Sequence, residues 1–224
     1  MKIIEYNNAQ DMTVEFQDEY RYKKKTFVHN FKRGDVKNPY DKVVFDVGYL
    51  GIGKHSTRYP NHGEVYKKYD TWYNLLMRCY SEEEHVRNPT YTDCTVCDEW
   101  LNYQNFAEWF ENNYYDIGEG RMHLDKDIIL KGNRIYSPEH CIYVPQRISM
   151  MFMHKGKASD LPTGISKTVN GYMASYNTKY LGVHKTVQEA VQVYMVEKRK
   201  CILQVANEYK NRIPQKLYDV LLAW

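Results

Sequence analysis

Two histidines and two aspartates that could assist a hydrolysis lie close together between Met122 and Ile148. They are His123, Asp125, Asp127 and His140. Carboxylate and imidazole groups are common ligands of divalent metals, and a histidine can also accept a proton near neutral pH. Such a set suits metal-assisted hydrolysis of a phosphodiester, which needs an activated water and a Lewis acid on the scissile phosphate.

The pattern around these residues predicts the elements that hold them. His123, Asp125 and Asp127 alternate with other residues at the period of a β-strand, so we expect all three on one face. A polar turn follows, and the apolar run from Cys141 to Val144 predicts a second strand. Pro145 can begin a helix but cannot continue one, so a helix is expected after it. Strand, loop, strand and helix form the outline of a ββα metal-dependent nuclease site.

The same stretch resembles the HNH endonucleases of phages and mobile introns. The resemblance covers roughly Tyr69 to Phe152 and rests on RCY at the end of a helix, on VCDEW, and on LDKD, YSPEHC and VPQRI. It implies a DNA endonuclease that uses one divalent metal, Mg²⁺ or Mn²⁺. In that family an aspartate at the end of the first strand binds the metal and a neighbouring histidine is the general base. A loop asparagine orients that histidine, and a histidine or asparagine on the helix completes the site.

This chain departs from the family at three of these positions. Asp125 matches the metal-binding aspartate, whereas Lys126 occupies the general-base position, His140 the loop-asparagine position and Ser149 the helix-ligand position. A lysine is protonated at neutral pH unless it is strongly desolvated, so Lys126 is better suited to holding the phosphate. His123 or His140 could supply the missing imidazole.

Two interpretations of the site remain open at this point. In a variant active site, the catalytic residues are Asp125, His123, His140 and Lys126, and the metal ligands are Asp125, Asp127 and His140. In a degraded site, the chain keeps the fold of the family and has lost its chemistry.

The cysteines suggest a second metal hypothesis. Cys94 and Cys97 have the spacing of a zinc knuckle, and Cys79 and Cys141 could complete a set of four thiolates for a structural Zn²⁺. Against zinc, no second pair has this spacing, and cysteine is often simply buried as a small apolar residue. Five cysteines without a secretory signal favour a reducing compartment, so we expect a cytoplasmic protein, inside the host cell if it is phage-encoded.

Residues 161–224 predict a separate module that binds DNA. Two strands joined by a type I′ turn at Asn170-Gly171, a third strand at Tyr180 to Val183, and a helix capped at Thr186 give a three-stranded sheet plus a helix. This order resembles the AP2-type DNA-binding module, whose sheet reads the major groove with its outward side chains. The outward candidates here are Lys167, Thr168, Asn170, Tyr172, Tyr176 and Lys179.

This set of candidates contains no arginine, the side chain that reads guanine with two hydrogen bonds. A small α/β module for protein contacts is therefore the alternative for residues 161–224. Residues 155–224 contain 11 basic and 5 acidic residues, whereas residues 1–154 contain 20 basic and 23 acidic ones, so the last third is still the part expected to meet a polyanion.

The first half of the chain predicts a β module followed by helices. Residues 1–55 form a small β-rich module, and Glu64 to Tyr80 form a helix with an apolar face. A charged loop from Ser81 to Thr92 and a second helix starting near Asp98 follow.

Gly48 to Lys54 fits the first seven positions of the phosphate-binding loop GxxxxGK[ST]. The next residue is His55, where a hydroxyl is needed to reach Mg²⁺, and Pro60 follows too soon for a long helix. We therefore interpret this segment as a glycine-rich linker.

The predicted fold is α+β, with an HNH-like ββα core at residues 64–154 between a β-rich module at 1–55 and an AP2-like module at 161–224. With 43% hydrophobic and 26% charged residues, and no long apolar run, the chain predicts a globular protein without a membrane partner. The favoured function is a phage-type DNA endonuclease or nickase that acts on double-stranded DNA. The alternatives are a DNA-binding protein without catalysis and a phage protein that binds and inhibits a host enzyme.

Overall fold

The computed structural model describes residues 1–57, 64–153 and 160–224. The chain divides into two compact units, residues 1–112 with 135–137 and residues 113–134 with 138–224. Both units combine helices with small sheets, which confirms the α+β class. Pro60 lies outside the described residues. The expected linker between the second and third predicted modules also lies outside them, apart from Asp160.

The first unit begins with an antiparallel sheet. Its strands, in spatial order, are β1 (Lys2–Asn8), β2 (Asp11–Glu15) and β3 (Lys23–Thr26), and a short helix, α1 (Val28–Arg33), follows. Met12 and Val14 alternate with less buried residues along β2 and pack with Phe16 and Val36. This alternation is the signal that makes the N-terminal β module predictable.

Helices with large aromatic residues form the core of the rest of the first unit. They are α2 (Glu64–Tyr80), α3 (Glu82–Arg87), a 3-10 turn (Pro89–Tyr91), α4 (Asp98–Leu101) and α5 (Tyr103–Asn113). Trp72 and Trp100 are completely buried, and the indole N–H of Trp72 donates to the Trp100 carbonyl oxygen at 2.7 Å. Two short parallel strands, β4 (Thr95–Val96) and β6 (Ile135–Tyr136), complete this unit.

The glycine-rich segment is a docked loop, so its interpretation as a linker is wrong. Backbone hydrogen bonds join Tyr49 to Leu101 and to Tyr103 at the start of α5, each at 2.9 Å. The Gln104 side chain accepts from the backbone N–H of His55 at 2.9 Å and donates to the carbonyl oxygens of His55 and Leu50 at 2.9 and 3.3 Å. Backbone that lies outside helices and strands needs such partners when it is partly buried.

Gly51 and Gly53 permit this close approach. A Cβ at Gly51 would lie 2.2 Å from Oδ1 of Asn102, and one at Gly53 would lie 2.3 Å from Oε1 of Gln104. Gly51 also has a φ of +66°, a conformation that residues with a Cβ rarely adopt. The glycines therefore fit the loop against α5.

The second unit contains the predicted order of strand, strand and helix. Strand β5 (Met122–Asp125) pairs antiparallel with β7 (Ile142–Pro145), and α6 (Gln146–Phe152) starts directly after β7. Within this unit, Val144 and Ile148 are fully buried and belong to the same apolar cluster as Ile202 and Leu217.

The C-terminal part of the second unit is a three-stranded antiparallel sheet followed by two helices. The strands β8 (Ile165–Thr168), β9 (Gly171–Tyr176) and β10 (Lys179–His184) lie in the order β10-β9-β8, and α7 (Val187–Tyr209) and α8 (Gln215–Ala223) follow. The Thr186 hydroxyl accepts from the backbone N–H of Glu189, which confirms the predicted N-cap of α7. No helix in the described ranges is both long and apolar enough to cross a membrane.

The turns of this sheet differ from the prediction. The β8–β9 loop consists of Val169 and Asn170, and only Gly171, the first residue of β9, has a positive φ there. Both loop residues of the β9–β10 turn, Asn177 and Thr178, have positive φ values, as a type I′ turn requires. The type I′ turn predicted at Asn170-Gly171 is therefore wrong, because strand pairing places Gly171 inside the ladder.

The docked loop predicts different effects for two glycine-to-alanine substitutions. Gly34 and Gly51 both have positive φ, but a Cβ at Gly34 meets no atom within 4 Å. Gly34→Ala should lower the free energy of unfolding by about 1 kcal/mol through backbone strain alone. Gly51→Ala should lower it by roughly a further 1–3 kcal/mol, because the methyl group must displace Asn102. Urea denaturation followed by tryptophan fluorescence measures both, and equal losses would contradict the docked loop.

Candidate functional site

Asp125 ends β5 and holds the turn that follows it. Its Oδ1 accepts hydrogen bonds from the backbone N–H groups of Asp127 and Ile128, both at 2.8 Å. Burial raises the pKa of the Asp125 carboxyl, while these two N–H donors oppose the rise. The chain turns immediately after Asp125, so Asp127 lies outside the strand. The prediction that Asp127 extends the face formed by His123 and Asp125 is therefore wrong.

Lys126 is buried and hydrogen-bonded inside its own loop. Its Nζ donates to Oδ2 of Asp127 at 2.7 Å and to the carbonyl oxygen of Asn133 at 2.9 Å. The amide of Asn133 donates in return to the carbonyl oxygen of Lys126 at 3.0 Å. Lys126 therefore stabilises the loop between β5 and β6.

Asn133 is a residue of this site that the sequence analysis missed. It fixes the backbone at Lys126, the residue directly after the candidate metal ligand. The prediction gave the role of the orienting loop residue to His140, which lies in the turn before β7. The sequence predicts a polar Lys-Gly-Asn turn at Asn133. It does not show that the Asn133 side chain pairs with Lys126, seven residues earlier.

His123 lies two residues before Asp125 on β5, and successive side chains of a strand alternate between faces, so both point to the same face. Its Nδ1 lies 3.2 Å from the hydroxyl oxygen of Ser149 on α6. Ser149 is buried, so this contact fixes the orientation of the imidazole. Ser149 occupies the helix position that holds a metal ligand in the HNH endonucleases. In this protein it positions His123.

The described residues contain one group of three metal-ligating side chains whose ligand atoms lie within 4.8 Å of one another. It consists of His55, Glu108 and Glu111, all in the first unit, and it could hold a metal ion. The set predicted in the second unit, Asp125, Asp127 and His140, does not form such a group among the described residues.

The four cysteines predicted as zinc ligands are divided between the units. Cys79, Cys94 and Cys97 belong to the first unit and Cys141 to the second. In the described part of the first unit, the three cysteines do not form a metal-ligating group of the same compactness. Cys79, Cys94 and Cys141 are buried, as expected for cysteines that pack as apolar residues.

The His55 imidazole lies between the two glutamates. Its side chain is only 4% exposed. Nε2 lies 3.1 Å from Oε2 of Glu108, and Nδ1 lies 3.4 Å from Oε1 of Glu111. Glu108 and Glu111 are three residues apart on α5, which puts both carboxylates on the same face of the helix.

Two lysines complete this group. Nζ of Lys54 lies 2.8 Å from Oε2 of Glu108, and Nζ of Lys68 lies 2.5 Å from Oε1 of Glu111. These hydrogen bonds lower the pKa of both glutamate carboxyls, so the carboxylates are ionised at neutral pH. An open pocket of about 450 Å³ lies beside the group, lined by residues of the docked loop and of α5.

Sequence reasoning missed this group for a physical reason. Glu108 and Glu111 at helical spacing were a readable signal, because the helix starting near Asp98 was expected. His55 was noticed only as the residue that breaks the phosphate-loop pattern. The two glutamates lie more than 50 residues after His55 in the chain, and only the docking of the loop on α5 brings them together.

The sheet predicted to contact DNA turns several of its candidates towards α7. Directly opposed residues in a sheet share a face. Ala174 and Tyr176 are buried, and Tyr172 packs in the same cluster as the buried Ala190 of α7. Lys179 is opposed to Tyr176, and its Nζ lies 2.6 Å from Oε1 of Glu197 on α7.

The prediction that Tyr172 and Tyr176 point outward is therefore wrong, because both lie on the face that packs against α7. Lys179 lies on the same face, and its side chain is exposed and paired with Glu197. Lys167 is opposed to Tyr172 and shares its side of the sheet, although it is exposed. Thr168 lies on the other face and Asn170 in the exposed loop. In the described segment 160–224, the outward face of the sheet carries no charged residue. Its residues are Ser166, Thr168, Met173, Ser175, Tyr180 and Val183.

Two substitutions of Asp125 should separate its structural role from its charge. Asp125→Ala removes the acceptor of two backbone N–H groups and should lower the free energy of unfolding by about 1–3 kcal/mol. Asp125→Asn keeps an acceptor oxygen and removes a carboxylate that burial disfavours, so it should cost less than about 1 kcal/mol. Urea denaturation of both variants measures the difference. Equal losses would contradict the hydrogen-bonding role of Oδ1.

Comparisons with models of protein families, with curated proteins and with solved structures found no match to this chain. The resemblance to the HNH endonucleases and to the AP2-type module stays a prediction from the motif residues.

Proposed function

We propose that this protein is a metal-dependent endonuclease of double-stranded DNA, with Asp125 as the metal ligand and His123 as the general base. The observation that supports it is the element formed by β5, β7 and α6. It places a partly buried carboxylate at the end of a strand, a histidine on the same face, and a serine of α6 against the imidazole.

The donor set fits a single hard cation. Mg²⁺ is commonly held by one or two carboxylates, with waters and substrate phosphate oxygens as its other ligands. At Asp125 the backbone N–H groups of Asp127 and Ile128 donate to Oδ1, and no residue in the described parts of the chain donates to Oδ2. Asp125 would hold the ion through Oδ2. A bound Mg²⁺ or Mn²⁺ supplies Lewis-acid stabilisation of the scissile phosphate.

His123 has the chemistry to take the proton from the attacking water. A neutral imidazole has one N–H and one lone pair, so the tautomer depends on the hydrogen bond that the other nitrogen makes. The contact between Nδ1 and the hydroxyl of Ser149 allows either tautomer. In the tautomer that the proposal requires, Nδ1 donates to Ser149 and Nε2 carries the lone pair that accepts the proton. Ser149 is thus a positioning residue for the base.

Lys126 and Asn133 act in this proposal by holding the backbone. Their two reciprocal hydrogen bonds fix the loop that starts at Asp125. Asp127 accepts from Lys126 and is not proposed as a ligand. From the residues expected to contact DNA, the exposed Lys167 and Asn170 at the β8–β9 hairpin remain candidates for phosphate contacts.

A second candidate function is DNA binding without catalysis. It is favoured by the internal pairing of Lys126 with Asp127, which leaves Asp125 as the one carboxylate of the predicted set that is available for a metal. The resulting site would keep the architecture of the nuclease with a reduced ligand set.

Cleavage of supercoiled plasmid in Mg²⁺ or Mn²⁺ tests the proposal. The wild-type protein should nick the plasmid, and chelation of the metal should stop the reaction. Asp125→Asn should lower the nicking rate on the order of 100-fold or more while the protein remains folded. The matched control Asp160→Asn changes an exposed carboxylate in the same unit and should leave the rate unchanged.

Other outcomes of this assay decide between the two candidates. A protein that retains DNA in a gel shift but nicks it in no metal would contradict the nuclease and support the binding protein. A protein that neither cuts nor binds DNA would contradict both.

A further inference from the structure

We infer that His55, Glu108 and Glu111 form a second metal site, for a divalent ion of the zinc class. This inference does not depend on nuclease activity, because the three residues belong to the first unit and Asp125 to the second. One imidazole nitrogen and two carboxylate oxygens within 4.8 Å of one another match the donors that Zn²⁺ and its neighbours among the transition metals bind.

The contacts of the imidazole point to a cation between these side chains. Both ring nitrogens of His55 face carboxylate oxygens, Nε2 at 3.1 Å and Nδ1 at 3.4 Å. A protonated imidazole donates to both carboxylates, whereas a neutral imidazole has one N–H and offers the lone pair of its other nitrogen. In the neutral form, that nitrogen and the adjacent carboxylate oxygen can bind one metal ion together.

The fold already holds the three ligands in place. Gln104 fixes the backbone of His55 through two hydrogen bonds of 2.9 Å, and the side chain of His55 is 4% exposed. The two glutamates come from a single face of α5. A preorganised set of this kind loses little conformational entropy when it binds an ion.

The two lysines would respond to the ion differently. Lys54 is 65% exposed and can leave Glu108 for solvent. Lys68 is 9% exposed and would stay hydrogen-bonded to Glu111, as a residue outside the ligand set that orients one ligand. The open pocket beside the group leaves room for a water or another small molecule as the remaining ligand. Three protein ligands and one open position are typical of zinc sites that act on a bound molecule.

Titration of the full-length, metal-stripped protein with Co²⁺ and Zn²⁺ tests the inference. Co²⁺ has visible absorption that reports its ligands, and oxygen and nitrogen ligands give no thiolate-to-cobalt charge-transfer band, which excludes the cysteines as the site. Wild type should bind Zn²⁺ with a dissociation constant in the micromolar range or tighter. Glu108→Gln combined with Glu111→Gln should weaken it at least about 100-fold.

The variants are chosen to keep the fold. Both glutamates are about half exposed, so replacing them with glutamine should not unfold the protein, whereas replacing the buried His55 could. Glu99→Gln, an exposed glutamate of the first unit, is the matched control and should bind as wild type does. Asp125→Asn should also keep this site.

Two results would overturn the inference. One is equal affinity for Zn²⁺ in wild type and in the double variant. The other is no binding by wild type below about 100 µM, which would show that the two lysines and His55 satisfy the glutamates as a closed ion-pair network.

Discussion

Loop backbone outside helices and strands needs hydrogen-bond partners, and in this protein a few polar side chains supply them beside each group of interest. Gln104 binds the backbone of the glycine-rich loop, and this contact places His55 beside α5. In the second unit, Asp125 binds the turn that follows β5, and Asn133 with Lys126 holds the loop beyond it. The chemistry proposed for each unit depends on these contacts.

The same contacts decide which charged residues are available for chemistry. Lys126 and Asp127 are adjacent to the candidate metal ligand, but their charges pair with each other. Lys179 and Glu197 pair in the same way between β10 and α7. A charged residue in a motif therefore has to be examined together with its partner, because the ion pair has to open before either charge can meet a substrate or DNA.

Local signals predicted the elements well, and contacts between distant residues explain the errors. The helix from Glu64 to Tyr80 and the N-cap at Thr186 were read from spacing alone. Ser81 and Glu84 also have the spacing of a helix cap, but the segment was expected to be a loop, and it contains α3.

The candidate site was only partly predictable. Strand alternation predicts that Asp125 and His123 lie on one face. It does not predict the position of Asp127, because the hydrogen bonds accepted by Asp125 turn the chain away from the strand. The group at His55 depends on a loop docked on a helix about 50 residues later.

The role of Asp125 as a metal ligand can be tested most directly with a crystal grown with Mn²⁺ and a DNA duplex, in which anomalous scattering locates the ion. We expect a peak within bonding distance of Oδ2 of Asp125. A map with Mn²⁺ elsewhere and none at Asp125 would contradict this role.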